Sequence, residues 1–240
     1  MAKLKFDPAK MLEFTDPRLI PTYSIPEAAH YLRMPEITLR TWVLGRDYKT
    51  KYEKREFAPV IEIADQDHHL MSFANLAEAH VLSACRRTYR VPLKNVRSAL
   101  DFVMKEFGTD HPLIDQEFAT DGASLFVEKL GKLVDASADG QEVMRSVVER
   151  HLQRLDRENK LVTRLWPFTR DSLESPRKVF IDPRISFGRA VLAAAGVPTS
   201  SLAERWLAGE AADHLAKDYD CETLDIEEAI RCEVRVDIAA

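Results

Sequence analysis

The segment Pro35 to Val43 reads PEITLRTWV, and Thr38, Arg40 and Thr41 within it carry side chains that donate hydrogen bonds to phosphate oxygens or base edges. If the segment is helical, Ile37, Leu39, Trp42 and Val43 form its buried side and the hydroxyls and guanidinium face outward. Arg46, Lys49 and Lys51 follow directly, and their positive charge suits phosphate contacts. At the other end of the chain, Val234, Val236 and Ile238 alternate with Arg235 and Asp237. That period of two reads either as a short strand closing the chain's own core or a frayed end, or as a strand adding to an exposed sheet edge of a partner, with Arg235 on the face opposite Val234 and Val236.

Helices must position the first group. Ser24 followed three residues later by Glu27 matches a capping box, so a helix starts there with Ile25, Ala28, Ala29 and Leu32 on one side. Met34-Pro35 supplies a turn, and Gly45 ends the second helix. Val60 to Ile63 and Leu70 to Phe73, joined by a polar turn at Asp65 to His69, predict a hairpin. Two helices, a tight turn and a hairpin together describe a winged helix-turn-helix, with that hairpin as its wing.

Further along, helical spacing predicts helices over 75–88, 92–107 and 141–159, while LFVEKLGKLVDASADG reads as short strands with turns. LVTRLWPF reads as a strand and TRDSLESPRK as a linker. A new unit opens at VFIDPRISFGRAVL with strand-like runs, and short helices follow over 200–208, 210–217 and 225–233. The expected class is α+β, mainly α: a winged helix-turn-helix over 1–74, a mixed middle region over 75–170 that can supply dimer contacts, and a small helix-turn-helix-like unit with a β-hairpin over 176–240.

Charge divides the ends. The chain of 240 residues carries a net charge of −5, but residues 1–60 hold 11 Lys/Arg against 8 Asp/Glu, and residues 200–240 hold 4 against 11. Phosphate neutralisation drives DNA affinity, so the first region suits DNA and the last suits a protein surface. Arg86, Arg87, Arg90, Lys94 and Arg97 form a second basic run that reads as a solvated face or a phosphate-contacting flank. No run approaches a membrane span, Asp7, Pro8 and Glu13 interrupt the start where an export signal needs an apolar core, and a cytoplasmic location is expected. Cys85, Cys221 and Cys232 lack zinc or disulfide spacing and read as reduced thiols. His68-His69 beside Asp65 and Asp67 reads as a polar turn, Trp166 and Phe168 as core, and no phosphate loop or nucleophile elbow is present, so neither cofactor nor catalytic site is expected.

The stretch YSIPEAAHYLRMPEITLRTW resembles the N-terminal half of MerR-type and excisionase-type DNA-binding domains, in which an alanine-rich helix precedes a Thr-Leu-Arg-x-Trp helix. The resemblance implies groove contacts by Thr38, Arg40 and Thr41. Ile181-Asp182-Pro183, Phe187-Gly188, Val197-Pro198, Gly209 and Asp218-Tyr219 occur in the order found in a bacterial domain family of originally unknown function, present in antitoxins and homeodomain-like in fold. Where that family has a Gly-Thr-Arg step, this chain has Ala194-Ala195-Gly196. Both halves in this order resemble a VapB-type antitoxin, which implies an operator-binding autorepressor, a homodimer and a PIN-type ribonuclease toxin as partner. The toxin's magnesium-binding carboxylates would then be the target of Arg235, with Val234 and Val236 beside it. The alternative is a free-standing MerR-like regulator whose C-terminal half senses a ligand or binds a partner; the chain lacks the long dimerising coiled coil of that form.

Overall fold

The computed structural model describes residues 16–49, 54–89, 92–108, 111–115, 118–134, 136–159 and 161–234. After a turn at residues 17–19, β1 (Tyr23–Ser24) leads into α1 (Ile25–Tyr31). The Ser24 side chain accepts the Glu27 N–H at 3.3 Å and so caps the helix where the sequence predicts it to start. A short turn leads into α2 (Glu36–Leu44), and Gly45, at φ 76°, ends it. Leu39, Trp42 and Val43 are buried there.

Ile37 does not join them. It is 69% exposed, because positions 39, 42 and 43 share one helical face and position 37 lies two residues, about 200°, away. The wing also differs from the expectation. The hairpin is β2 (Arg46–Lys49) paired antiparallel with β3 (Lys54–Phe57), one residue after α2 ends. The segment around Val60 to Ile63 is not a strand, since the Val60 and Ile61 N–H groups donate to the Trp42 carbonyl at 2.6 and 3.1 Å instead. The turn at Asp65 to His69 does form, closed by reciprocal backbone bonds between Asp65 and Leu70, and β4 (Leu70–Met71) pairs with β1. His68 Nδ1 lies 2.8 Å from the Asp65 carboxylate that shapes this turn.

Next come α3 (Phe73–Tyr89) and α4 (Leu93–Phe107), the latter closed by Gly108 in a left-handed conformation. The region expected to hold short strands is helical: a π-helical turn at Phe118–Gly122 runs into α5 (Ala123–Val134). Phe126, Val127 and Leu130 are buried at helical spacing, and Gly131 lets the Gln141 side chain of α6 (Ala138–Leu152) approach. Here the tertiary partner overrides the weak local glycine signal. The predicted helix through 159 stops at Leu152, and Leu155–Glu158 is β5.

β5 pairs with β6 (Leu161–Leu165), and the sheet continues through β7 (Val179–Ile181), β8 (Ala190–Leu192) and β9 (Val197–Pro198), antiparallel in the order β5-β6-β7-β8-β9. The pairing of Leu165 with Ile181 joins the middle region to the C-terminal unit in one sheet. The intervening segment, largely exposed, is anchored at two buried residues. Thr169 and Ser175 are buried, and the Thr169 hydroxyl and the Arg170 guanidinium both donate to the fully buried Glu228 carboxylate. α7 (Thr199–Leu207), α8 (Ala212–Asp218) and α9 (Thr223–Glu233) complete the described chain. Phe168 is buried as expected, while Trp166 is half-buried with its indole N–H on Asp156 at 2.8 Å. Cys221 and Cys232 are free thiols. No helix among the described residues is long and apolar enough to cross a membrane.

Candidate nucleic-acid interface

The outward face of α2 carries Ile37, Arg40 and Thr41. The Arg40 guanidinium is 42% exposed and donates to Glu36 Oε1 at 2.8 Å, one turn back. Such an exposed i,i+4 pair contributes only a few tenths of a kcal/mol, about 0.3–0.5, so it orients Arg40 without sequestering it. The Thr41 hydroxyl donates to the Ile37 carbonyl at 2.8 Å, and Thr38 is half-buried at the flank of the same helix. Arg46 is exposed at the start of β2, and Lys49 ends that strand, its backbone paired with Lys54. Lys51 lies outside the described residues. Arg46 and Lys49 therefore stand on the wing itself, whose sequence from Arg46 to Phe57 holds five Lys/Arg against three Asp/Glu. Sequence reading placed these cations correctly next to α2 but assigned the wing to the later acidic turn; the alternation of Arg46, Tyr48 and Thr50 was too polar to signal a strand.

α1 is held from behind by the C-terminal unit. The Tyr23 hydroxyl donates to the Gly188 carbonyl at 2.8 Å, and Arg33 donates to the Arg231 carbonyl at 3.4 Å. Arg33 also lies 3.6 Å from Asp171, and His30 lies 3.9 Å from Glu233. Burial pushes the Tyr23 and Tyr31 hydroxyls far above their ordinary range, so both remain neutral donors. Sequence reading did not find this seam, because its partners lie far apart in the chain, Tyr23 and Gly188 by 165 residues.

In the C-terminal unit, Asp182 is fully buried and clamped by Arg184, while Phe187 is 90% exposed. Ser186, Phe187 and Gly188 occupy the left-handed region in succession, at φ 49°, 56° and 75°, and this turn displays the Phe187 ring to solvent. Glu210, His214 and Asp218 bring possible ligand atoms within 4.8 Å of one another. The Arg205 guanidinium already bonds Glu210 at 2.5 Å and Asp218 at 2.6 Å, and so supplies the cation of that cluster. Val234 is half-buried at the end of α9; Arg235 and Val236 lie outside the described residues.

A family model described as "Putative DNA-binding HTH domain" matches residues 21–100, which include α1, α2 and the wing. A second, "Protein of unknown function (DUF433)", matches residues 179–231, from β7 into α9. Among solved proteins, the crystal structure of Rv2018 from Mycobacterium tuberculosis matches with a TM-score of 0.63 at 25% identity, over 88% of this chain and 98% of that one. The protein named "Putative antitoxin VapB45" of Mycobacterium tuberculosis (strain ATCC 25618 / H37Rv) is 30% identical over 232 residues, covering 83% of this chain and 88% of its own length. The order of a DNA-binding helix-turn-helix before the second matched unit agrees with that relationship, and the chain belongs to the VapB-type antitoxin family.

Proposed function

We propose that this antitoxin represses its own operator as a homodimer and neutralises a PIN-type ribonuclease toxin, acting in the cytoplasm and performing no catalysis itself. The observation that carries the reading is the juxtaposition of the α2 face with a cationic wing beginning one residue beyond that helix. Arg40 supplies donors for base edges or phosphates, Thr41, whose hydroxyl hydrogen goes to Ile37, offers its oxygen as an acceptor to a base amino group, Thr38 flanks them, and Ile37 offers apolar contact to a thymine methyl. Arg46, Lys49 and Lys51 neutralise phosphate along the flank. One short helix reads few base pairs, so a symmetric dimer on paired half-sites is the expected binding unit. In this division residues 1–74 meet DNA, 75–170 supply dimer contacts and 176–240 meet the toxin.

Gel shifts on DNA from upstream of the gene test the first part. The double variant Arg40→Ala, Thr41→Ala is expected to weaken specific binding by about tenfold or more, at unchanged thermal stability. An unchanged affinity would remove α2 as the reader. Each of Arg46→Ala, Lys49→Ala and Lys51→Ala should reduce the slope of log affinity against log salt by about 0.9, the signature of one lost phosphate contact. A slope identical to the parent in all three would exclude the wing.

The relationship to VapB45 supports the toxin half, together with the acidic balance of residues 200–240, which complements the basic rim an RNA-cleaving partner needs. Phe187 is the exposed anchor of this unit, and Val234, Arg235 and Val236 form the tail assigned to the metal-binding carboxylates of the toxin. Co-purification with a co-expressed PIN-type nuclease of the same organism is the test. Phe187→Ala and Arg235→Ala should each weaken capture; full capture by both would remove these residues from the interface. Point variants are required, because deleting residues 176–240 would strip β6 of its β7 neighbour and remove the partner of Tyr23.

A further inference from the structure

Behind the wing lies a cavity of about 750 Å³, a volume in the range of small-molecule sites. Its walls are the segment from Pro59 to Ala64, the inner faces of α3 and α4, and residues 111–113. Apolar surface comes from Val60, Ile63, Leu100 and Leu113, and three carboxylates, Glu62, Glu78 and Asp101, share the lining. Glu78 is the deepest, 5% exposed, with His111 Nδ1 at 3.0 Å from its Oε2. The Arg97 guanidinium, also in the lining, is directed to the Ala58 and Pro59 carbonyls just after the wing.

We propose that this cavity binds an organic cation, a primary ammonium on an apolar body, with the ammonium at Glu78 and Asp101. An acidic lining over an apolar wall selects that class, since an anion would meet the exposed Glu62 and Asp101 carboxylates and the buried Glu78, whereas an ammonium is attracted by all three. Burial pushes the Glu78 carboxyl up, against the opposing pull of His111 and Asn75, so a cation bound beside it stabilises the ionised form. A pair serving only to close the floor of the fold would need no room in front of it.

The wall links the cavity to the DNA-facing elements. Its Val60 and Ile61 N–H groups hold the Trp42 carbonyl of α2, its first residues carry the end of β3, and Asn75 fixes its far end by accepting from the Ala64 N–H at 3.0 Å and donating to the Glu62 carbonyl at 2.8 Å. A ligand bound against this wall therefore biases the placement of α2 and the wing. This last step rests on the operator-binding role assigned to them.

Isothermal titration of the full chain with phenethylamine and 1,8-diaminooctane, with phenylacetate as the acid counterpart, tests the cavity without DNA. Saturable binding of at least one amine and none of phenylacetate is expected. Glu78→Gln should weaken it about tenfold or more, and so should Ala64→Phe, which fills the cavity from an exposed wall position and leaves the buried Glu78 in place. Absence of binding by both amines, equal binding of phenylacetate, or undiminished binding to a folded Ala64→Phe variant overturns the site. In the second arm, saturating amine should change operator affinity about threefold or more. An unchanged affinity while amine binding persists overturns the coupling alone, and loss of operator binding without any amine overturns the DNA reading instead.

Discussion

Replacing Gly188 with alanine is expected to lower the unfolding free energy by about 3 kcal/mol, as read by urea denaturation. Two costs combine. Gly188 sits at φ 75°, where a residue with a Cβ carries a strain of about 1–3 kcal/mol. The added Cβ would also run into the Tyr23 hydroxyl, itself buried and donating to the Gly188 carbonyl, and overpacking of that kind costs about 1–3 kcal/mol. The two parts separate in a double-mutant cycle. Tyr23→Phe removes the obstructing oxygen, so in that background Gly188→Ala should cost only the backbone share, at least about 1 kcal/mol below the single variant. Equal costs in both backgrounds would show that the glycine is required by its turn and not by the approach of α1. Because Tyr23 begins the helix-turn-helix, the variant should also loosen α1, visible as faster amide exchange along Ala28 and Ala29.

Asp182→Asn should lower stability by about 2–3 kcal/mol at neutral pH, since it breaks a buried carboxylate–arginine clamp. The carboxylate accepts from the Arg184 N–H at 2.9 Å and from its Nε and Nη2 at 3.0 and 2.9 Å, and Arg164 of β6 lies 3.7 Å away. Arg184 reaches on to Glu158 of β5 at 2.9 Å, so one buried acid ties three strands of the sheet. Burial pushes the Asp182 carboxyl up, but the Arg184 hydrogen bonds and the charges of Arg184 and Arg164 outweigh it and hold the group below its ordinary value. With the folded value lowered, this contribution is fully present above the unfolded carboxylate range near about pH 4 and is lost as pH falls through the folded value. The stability gap between parent and variant should accordingly be constant from pH 7 to about 5 and shrink below about 4. A gap that stays constant down to pH 3 would mean that the carboxyl's charge plays no part.

The helix-turn-helix was legible because its signals are local. A cap at Ser24 and Glu27, a turn at Met34-Pro35, and apolar residues at positions 39, 42 and 43 act within a few residues of one another, and each formed. The C-terminal helices were legible for the same reason, with Pro198 before α7 and Gly209 separating it from α8. Ile37 was misplaced because hydrophobicity alone put an apolar residue inside, whereas its angular position on α2 puts it outside. The wing was missed because β2 and β3 are polar strands that pair with each other and show no apolar alternation.

Residue types and short-range spacing determined the outward Arg40 and Thr41, the charge division between the ends, and the order of the DNA-binding and C-terminal units. Tertiary structure alone decided that Gly131 remains within a helix, that Thr169 and Ser175 anchor the polar stretch between β6 and β7, and that α1 leans on Gly188. It also decided that Glu78 and Asp101 line one cavity behind the wing. The physical reason is range: capping, turn formation and helical periodicity are settled by neighbours along the chain. Burial of a carboxylate, pairing of β6 with β7 and the approach of Tyr23 to Gly188 depend on residues that only folding brings together.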